Sequence, residues 1–244
     1  MLPVAILAGG LATRLRPLTD HAPKALLNIA GRPFIFHQLE LLRSQGVDRV
    51  VLCVGHLGEQ LEAAIGDGRT LGLAIRYSFD GRELLGTGGA LKQALPLLGD
   101  SFFVLNGDSY LPCSFARVQS AYEAARRPAL MTVLRNNNRW DRSNIVFRNG
   151  EVIAYDKKTQ RPDMSHIDFG LSVFSSGVFS NYGKSTVIDL ADICGELLSN
   201  GQLAAVEVSE RFYEIGSPRG IRDTEIFLSR RDSEKFPSRQ WMDA

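Results

Sequence analysis

The sequence predicts an α/β fold: a mostly parallel, mixed sheet flanked by helices on both faces. Three observations carry this. Short apolar runs rich in Val, Ile, Leu and Phe alternate with longer amphipathic stretches, as strands spaced by crossover helices do. The first run stops at Gly9-Gly10, a strand-to-loop transition. The 244 residues, 44% hydrophobic and 23% charged, suffice for one α/β core without disulfides or a structural metal.

Taken in order, residues 3–8 read as a buried strand. Residues 33–44 read as a helix, because Phe34, His37, Gln38, Leu41 and Leu42 fall near helical spacing. A strand over 49–54 precedes a helix over 57–65. A strand over 73–78 runs into a glycine-rich loop and then a helix from about 89 to 98. A strand over 101–105 ends in Asn106-Gly107-Asp108. A helix over 114–125 and a strand over 129–134 follow. The pattern then changes: 143–148, 151–155 and 167–174 are β-like, with hairpin chemistry at Asn149-Gly150. Helices are expected over about 187–200 and 218–231, and the polar tail from Asp232 is expected to be loosely held. No repeat, low-complexity tract or Ser/Gly linker divides the chain, so a single domain is expected.

Lys and Arg number 28 against 27 Asp and Glu, a formal net charge of +1. That balance argues against a dedicated nucleic-acid or anionic-membrane binder and leaves phosphate recognition to local charge. Cys53, Cys113 and Cys194 are few and far apart, so neither a disulfide framework nor a zinc site is expected. No apolar run reaches the roughly 18–20 residues that span a bilayer. The apolar start lacks a basic n-region, and Arg14 and Arg16 stand where a cleavage site would lie; the location is read as cytoplasmic. The four histidines are scattered without metal-ligand spacing.

The most informative segment is the loop after the first strand, with Gly9-Gly10, Arg14 and later Pro23-Lys24. Glycine lets backbone N–H groups approach a phosphate because no Cβ intervenes. Arg14 offers a rigid fork of donors, and Lys24 a compact charge. Neither a Walker A loop nor GxGxxG is present, which disfavours a plain dinucleotide-binding oxidoreductase. Residues 5–27, AILAGGLATRLRPLTDHAPKALL, resemble the signature of the sugar-1-phosphate nucleotidylyltransferases, or NDP-sugar pyrophosphorylases. The resemblance runs to about residue 230.

It implies a Rossmann-like domain over 1–231, with a nucleotide half over about 1–134, a sugar-phosphate half over 135–231 and a tail over 232–244. Leu7, Ala8, Gly9, Gly10, Thr13, Arg14 and Asn106 are then expected to bind the nucleotide. Gly86-Thr87-Gly88-Gly89 alone reads as a helix N-terminus; in relatives this loop lines the base and ribose, so Gly88 and Gly89 are expected to admit the base. Asp108, by itself an ordinary turn former, matches the family's Mg²⁺-binding Asp. Phe212-Tyr213-Glu214-Ile215-Gly216 resembles the W-x-D-x-G motif that supplies the second metal carboxylate, with Glu in place of Asp, so direct and water-mediated contact both stay open. Asp156-Lys157 resembles the E-K motif, which implies that Lys157 holds the sugar phosphate and Asp156 reaches sugar hydroxyls. Gly170 matches a glycine beside the sugar, and Asp168 stands where relatives vary. Relatives often carry Tyr-Gly before the strand at Ile145; this chain has Arg142-Ser143-Asn144, so the pocket is altered and Asn144 is a candidate sugar contact.

The resemblance implies Mg²⁺-dependent attack of a sugar 1-phosphate on the α-phosphate of an NTP, with Arg14, Lys24, Asp108 and Lys157 as the catalytic set. The expected partners are these two substrates, with no nucleic acid or membrane, and the chain is read as a monomer or homodimer. The LGTGGALK and VLNGD strings look like those of compact bacterial heptose-1-phosphate guanylyltransferases, which points to GTP and a heptose- or mannose-type sugar. N-acetylmuramate-1-phosphate uridylyltransferases share the pattern, and a cytidylyltransferase is a further alternative. From another class, a non-catalytic nucleotide-sugar-binding regulator has only Glu214 and the departure at 142–144 in its favour.

Overall fold

The computed structural model describes residues 1–11, 15–81, 83–183 and 186–235. The chain begins with β1 (Val4–Leu7), a 3-10 turn at Lys24–Leu26, the small hairpin of β2 (Asn28–Ile29) and β3 (Arg32–Pro33), and α1 (Phe34–Ser44). Next come β4 (Arg49–Val54), α2 (Gly58–Ile65), β5 (Ala74–Phe79), α3 (Gly86–Leu98), β6 (Ser101–Asn106) and β7 (Ser109–Tyr110). Then follow α4 (Phe115–Ala125), β8 (Ala129–Arg135), β9 (Ile145–Arg148), β10 (Glu151–Tyr155) and β11 (His166–Ser175). The described part ends with α5 (Leu190–Ser199), β12 (Leu203–Val208), β13 (Tyr213–Glu214) and α6 (Pro218–Lys235).

The central strands run in the order β5-β4-β1-β6, all parallel, and β11 joins β6 antiparallel. β9 and β10 extend the sheet beside β11, while β8 pairs with β11 and β12 pairs parallel with β8. Both faces are covered, which explains the unbroken apolar runs. In β1, Val4 and Ile6 enter one core layer and Ala5 the other; in β4, Val50, Leu52 and Val54 oppose Val51 and Cys53. The first layer receives Leu39 and Leu42 of α1, Leu61 of α2 and Val118 of α4. The second receives Leu91, Ala94 and Leu98 of α3 and Ile193 and Leu197 of α5. Each fully buried Leu or Ile contributes about 1.5–3 kcal/mol. A third cluster packs Leu228 of α6 against Ile29, Phe34, Tyr110 and Ile215, and so fixes the β7–β13 ribbon. Among the described residues no helix is long and apolar enough to cross a membrane.

The short strands β2, β3, β7 and β13 were not read from the sequence, α6 runs on to Lys235 rather than ending at 231, and four further elements differ from the sequence reading. α3 starts at Gly86, three residues early, with Leu85 as its N-cap and Gly86 at a positive φ of +73°. α5 starts at Leu190, since Asp189 is an extended N-cap whose side chain accepts the Ala191 N–H at 2.9 Å. The strand read from 143 starts at Ile145, because Ser143 is tied to Asn136 and Asn138. β12 was not anticipated: its Leu-Ala-Ala-Val-Glu-Val run becomes a strand by tertiary pairing with β8.

Candidate active site

A cavity of about 1010 Å³ opens along the C-terminal ends of the parallel strands, where open α/β sheets place ligands. Leu7, Ala8, Gly9, Gly10, Lys24, Asn106, Asp108, Asn144, Asp156, Lys157, Asp168, Gly170 and Glu214 all line it. Thr13 and Arg14 lie outside the described residues.

Its middle is built by β6 and the β7–β13 ribbon. β6 ends at Asn106, and Gln38 of α1 donates to the carbonyls of Asn106 (2.8 Å) and Ser109 (2.6 Å), bracing the turn that carries Asp108. Sequence reading had placed Gln38 only as a helix-face residue. Lys24 Nζ lies 2.5 Å from Asp108 Oδ2. The ribbon sets Glu214 opposite Ser109, and the Ile215 N–H donates to the Asp108 carbonyl at 2.9 Å. Glu214 turns back onto the start of α6: Ser217 Oγ donates to its Oε1 at 2.6 Å and the Gly216 N–H donates to its Oε2. The positive helix end favours that carboxylate. A Cβ on Gly216 would lie 2.8 Å from Glu214 Oε2, 3.2 Å from Asp108 Oδ2 and 3.5 Å from Lys24 Nζ, so three charges from distant parts of the chain converge on one point. Two converging carboxylates with open phosphate-side space form a hard-oxygen donor set that fits a divalent cation. Among the described residues no third acid, His or Cys completes the set, so further ligands would come from substrate or water.

At the far arm the carboxylate of Asp168 gathers the polar groups. Lys157 Nζ is 3.2 Å from its Oδ2, the Tyr155 hydroxyl donates to Oδ2 at 3.1 Å, and the Gly170 N–H donates to Oδ1 at 3.0 Å. Gly170 has φ +97°, and the pairing of β11 with β8 shifts register between Asp168 and Ser172; the local bulge supplies the turn that lets this N–H point back. The Asp168 charge raises the Lys157 pKa, and burial raises that of Tyr155. Asn144 Oδ1 accepts the Asp168 N–H at 3.0 Å, which ties its side-chain oxygen to the β11 backbone. Asp156 Oδ1 accepts the N–H groups of Lys158 (2.7 Å) and Thr159 (2.9 Å), closing the turn that presents Lys157. Asp156 is thus a turn cap on the cavity wall, and the charge partner of Lys157 is Asp168.

The expectation for Gly88 and Gly89 changes. Neither lines the cavity. Their N–H groups donate to the Ile188 carbonyl at 2.9 and 3.3 Å, so they are not free to receive a ligand. A Cβ on Gly89 would lie 2.5 Å from the Thr186 carbonyl oxygen, and one on Gly88 2.8 Å from Ile193 Cδ1. These glycines let the 186–188 segment dock on α3, and the cavity wall is made by Gly86, Thr87 and Ala90 instead. Sequence reading also missed Asp80, Trp140 and Phe212 on the wall. Trp140 lies beneath the Arg211 guanidinium, 5.4 Å from its ring centroid, and meets Phe212 edge-on. No local motif marks such a cluster.

The family model described as nucleotidyl transferase matches residues 4–243. The chain belongs to this family. It is 30% identical over 220 residues to the catalytic subunit beta of a mannose-1-phosphate guanylyltransferase from Xenopus tropicalis, covering 88% of this chain and 61% of that protein. It is similarly 30% identical to a mannose-1-phosphate guanylyltransferase from Mycobacterium tuberculosis, covering 87% of this chain and 60% of that one. The chain therefore spans about three fifths of the length of these relatives. Over 104 residues (42% of this chain and 45% of the relative) it is 47% identical to the N-acetylmuramate alpha-1-phosphate uridylyltransferase of Neisseria meningitidis. Its fold matches a Bacillus anthracis structure described as a glucose-1-phosphate thymidylyltransferase, with TM-score 0.82 at 20% identity over 94% of this chain and 96% of that one. HddC from Yersinia pseudotuberculosis, complexed with GMP-PN, superposes with TM-score 0.79 at 22% identity over 93% and 100%.

Proposed function

We propose that the chain transfers a nucleotidyl group from an NTP to a sugar 1-phosphate, giving an NDP-sugar and pyrophosphate. The observation that carries this reading is the convergence of Lys24, Asp108 and Glu214 midway along one cavity, between the Gly9-Gly10 turn and the Lys157–Asp168 pair. A phosphate oxygen of the sugar 1-phosphate attacks the α-phosphorus in line; the bond to the bridging oxygen breaks and pyrophosphate leaves. No covalent enzyme intermediate forms, so the protein contributes position and charge. Asp108 and Glu214 would hold Mg²⁺, which supplies Lewis-acid polarisation of phosphate oxygens when bound. Lys24 exchanges its Asp108 partner for the reacting phosphates. Lys157 anchors the incoming phosphate, with Asp168 keeping its ammonium charged and in place. Thr13 and Arg14 join the triphosphate contacts on the strength of the loop motif alone.

GTP with a mannose- or heptose-type sugar is the leading pair, supported by guanylyltransferase relatives matched along 88% of the chain. A uridylyltransferase acting on N-acetylmuramate 1-phosphate is the second reading, favoured by the 47% identity over 104 residues. A matrix of NTPs against sugar 1-phosphates, read by pyrophosphate release with Mg²⁺, tests both. Release with one pair assigns the substrates; binding without release from any pair would favour a non-catalytic binder.

A further inference from the structure

Gln38 occupies a core-facing position where an apolar side chain would pack without polar cost. It is 1% exposed and sits on α1, whose Leu39 and Leu42 enter one core layer and whose Phe34 and Leu41 enter the third cluster. A buried amide is unfavourable unless its polar atoms are bonded. Both donors of the Gln38 amide are directed at one target, the turn that carries Asp108.

Three elements hold that turn. The Gly107 N–H donates to the Leu7 carbonyl of β1 at 2.9 Å, and the Ile215 N–H after β13 donates to the Asp108 carbonyl at 2.9 Å. Gln38 Nε2 donates to the carbonyls on either side of Asp108, those of Asn106 and Ser109. The first two holds are main chain to main chain; the third is made by a side chain of a helix that is itself packed on two sides. Ser109 is the pivot. Its hydroxyl donates to Asp108 Oδ1 at 3.1 Å, and it stands opposite Glu214 in the β7–β13 ribbon. Gln38 therefore grips the residue that orients one carboxylate and faces the other.

We infer that Gln38 is a positioning residue for the divalent-cation site: by fixing the Asn106 and Ser109 carbonyls it sets the spacing of the Asp108 and Glu214 carboxylates, and with it the affinity for the metal. The inference rests on the reading of those two acids as metal ligands. Mg²⁺ accepts only near-ideal octahedral geometry with oxygens at about 2.0–2.1 Å, so a loosened turn is felt as weaker binding. A site whose supporting groups are absent keeps its ligands but loses their alignment.

Titration of the full chain with Mn²⁺, which shares the preference of Mg²⁺ for oxygen ligands, reads this apart from turnover through loss of the free-ion EPR signal. Wild type is expected to bind the ion and Asp108→Ala to lose it. Gln38→Met, similar in length but without donors, is expected to bind Mn²⁺ about 10- to 100-fold more weakly, as removal of a group that orients a ligand does. Gln38→Asn keeps the donors but is one methylene too short to span both carbonyls; its loss should be smaller, and it serves if the Met variant does not fold. Circular dichroism melts fix the temperature at which each variant is fully folded. A merely structural role lowers the melting temperature and leaves the Mn²⁺ constant in place, and that result overturns the inference while the metal reading stands. No Mn²⁺ bound by the wild type, or equal binding by Asp108→Ala, overturns the metal reading and the inference with it.

Discussion

The Lys157 ammonium and the Asp168 carboxylate stand 3.2 Å apart, joining the turn after β10 to the bulged middle of β11. Asp168 is the more buried partner and also holds Tyr155 and Gly170. It therefore acts on Lys157 and the local backbone together. The Asp168 charge raises the folded pKa of Lys157 above its ordinary value near 10.4. The pair thus contributes stability that is fully present below about pH 10 and is lost as pH rises through the folded value. Asp168→Asn is expected to lower stability by only about 1 kcal/mol at pH 7, because Lys157 is half exposed and solvent screens the pair. Urea unfolding should show the gap closing at strongly alkaline pH.

Asp108→Ala should cut turnover by about 100- to 1000-fold, as removal of one preorganised charge-stabilising group does. Pyrophosphate release at saturating Mg²⁺ measures this. Near wild-type turnover would remove Asp108 from the reacting centre.

Two glycine-to-alanine changes should move stability in opposite directions. A Cβ on Gly220 would lie on the Glu214 carboxylate, so Gly220→Ala forces Glu214 off its Ser217 and Gly216 donors. A loss of about 1–3 kcal/mol is expected, together with reduced activity. Gly195, inside α5, has nothing within 4 Å of its Cβ position. Gly195→Ala should gain about 0.5–1 kcal/mol with activity unchanged. Thermal melts of the pair decide the matter, and destabilisation by Gly195→Ala would refute the open-space reading.

Burial raises the folded pKa of Asp80 above its unfolded value near 3.9. Its ionisation in the native state is therefore unfavourable, and stability falls as pH rises through the window above about 4. Asp80→Asn should melt higher than the wild type at pH 7, with the difference shrinking towards pH 3. A variant that melts lower at neutral pH would show that the charge has a structural partner.

Much of the site was legible one strand end at a time. Gly9-Gly10, Asn106, Asp108, Lys157 and Gly170 each follow or interrupt an apolar run, and each reaches the cavity. Glu214 was readable through its motif, but its orientation towards Ser217 and Gly216 needed the fold. Gly88-Gly89 misled because a glycine pair before a helix serves a ligand or a packed backbone equally well in one dimension. Asp80 gave no signal, since a single acid after a strand is an ordinary turn residue.

The sequence by itself determined the α/β class, the order of most elements and the identity of the loops that end the parallel strands, because hydrophobic periodicity and turn chemistry are local. Only the tertiary structure decided that Lys24, Asp108 and Glu214 meet, that Asp168 and not Asp156 pairs with Lys157, and that Asp80 lies three strands from Asp108. Those relations depend on strand order, on the bulge in β11 and on α6 clamping the β7–β13 ribbon, all of which are set by long-range packing.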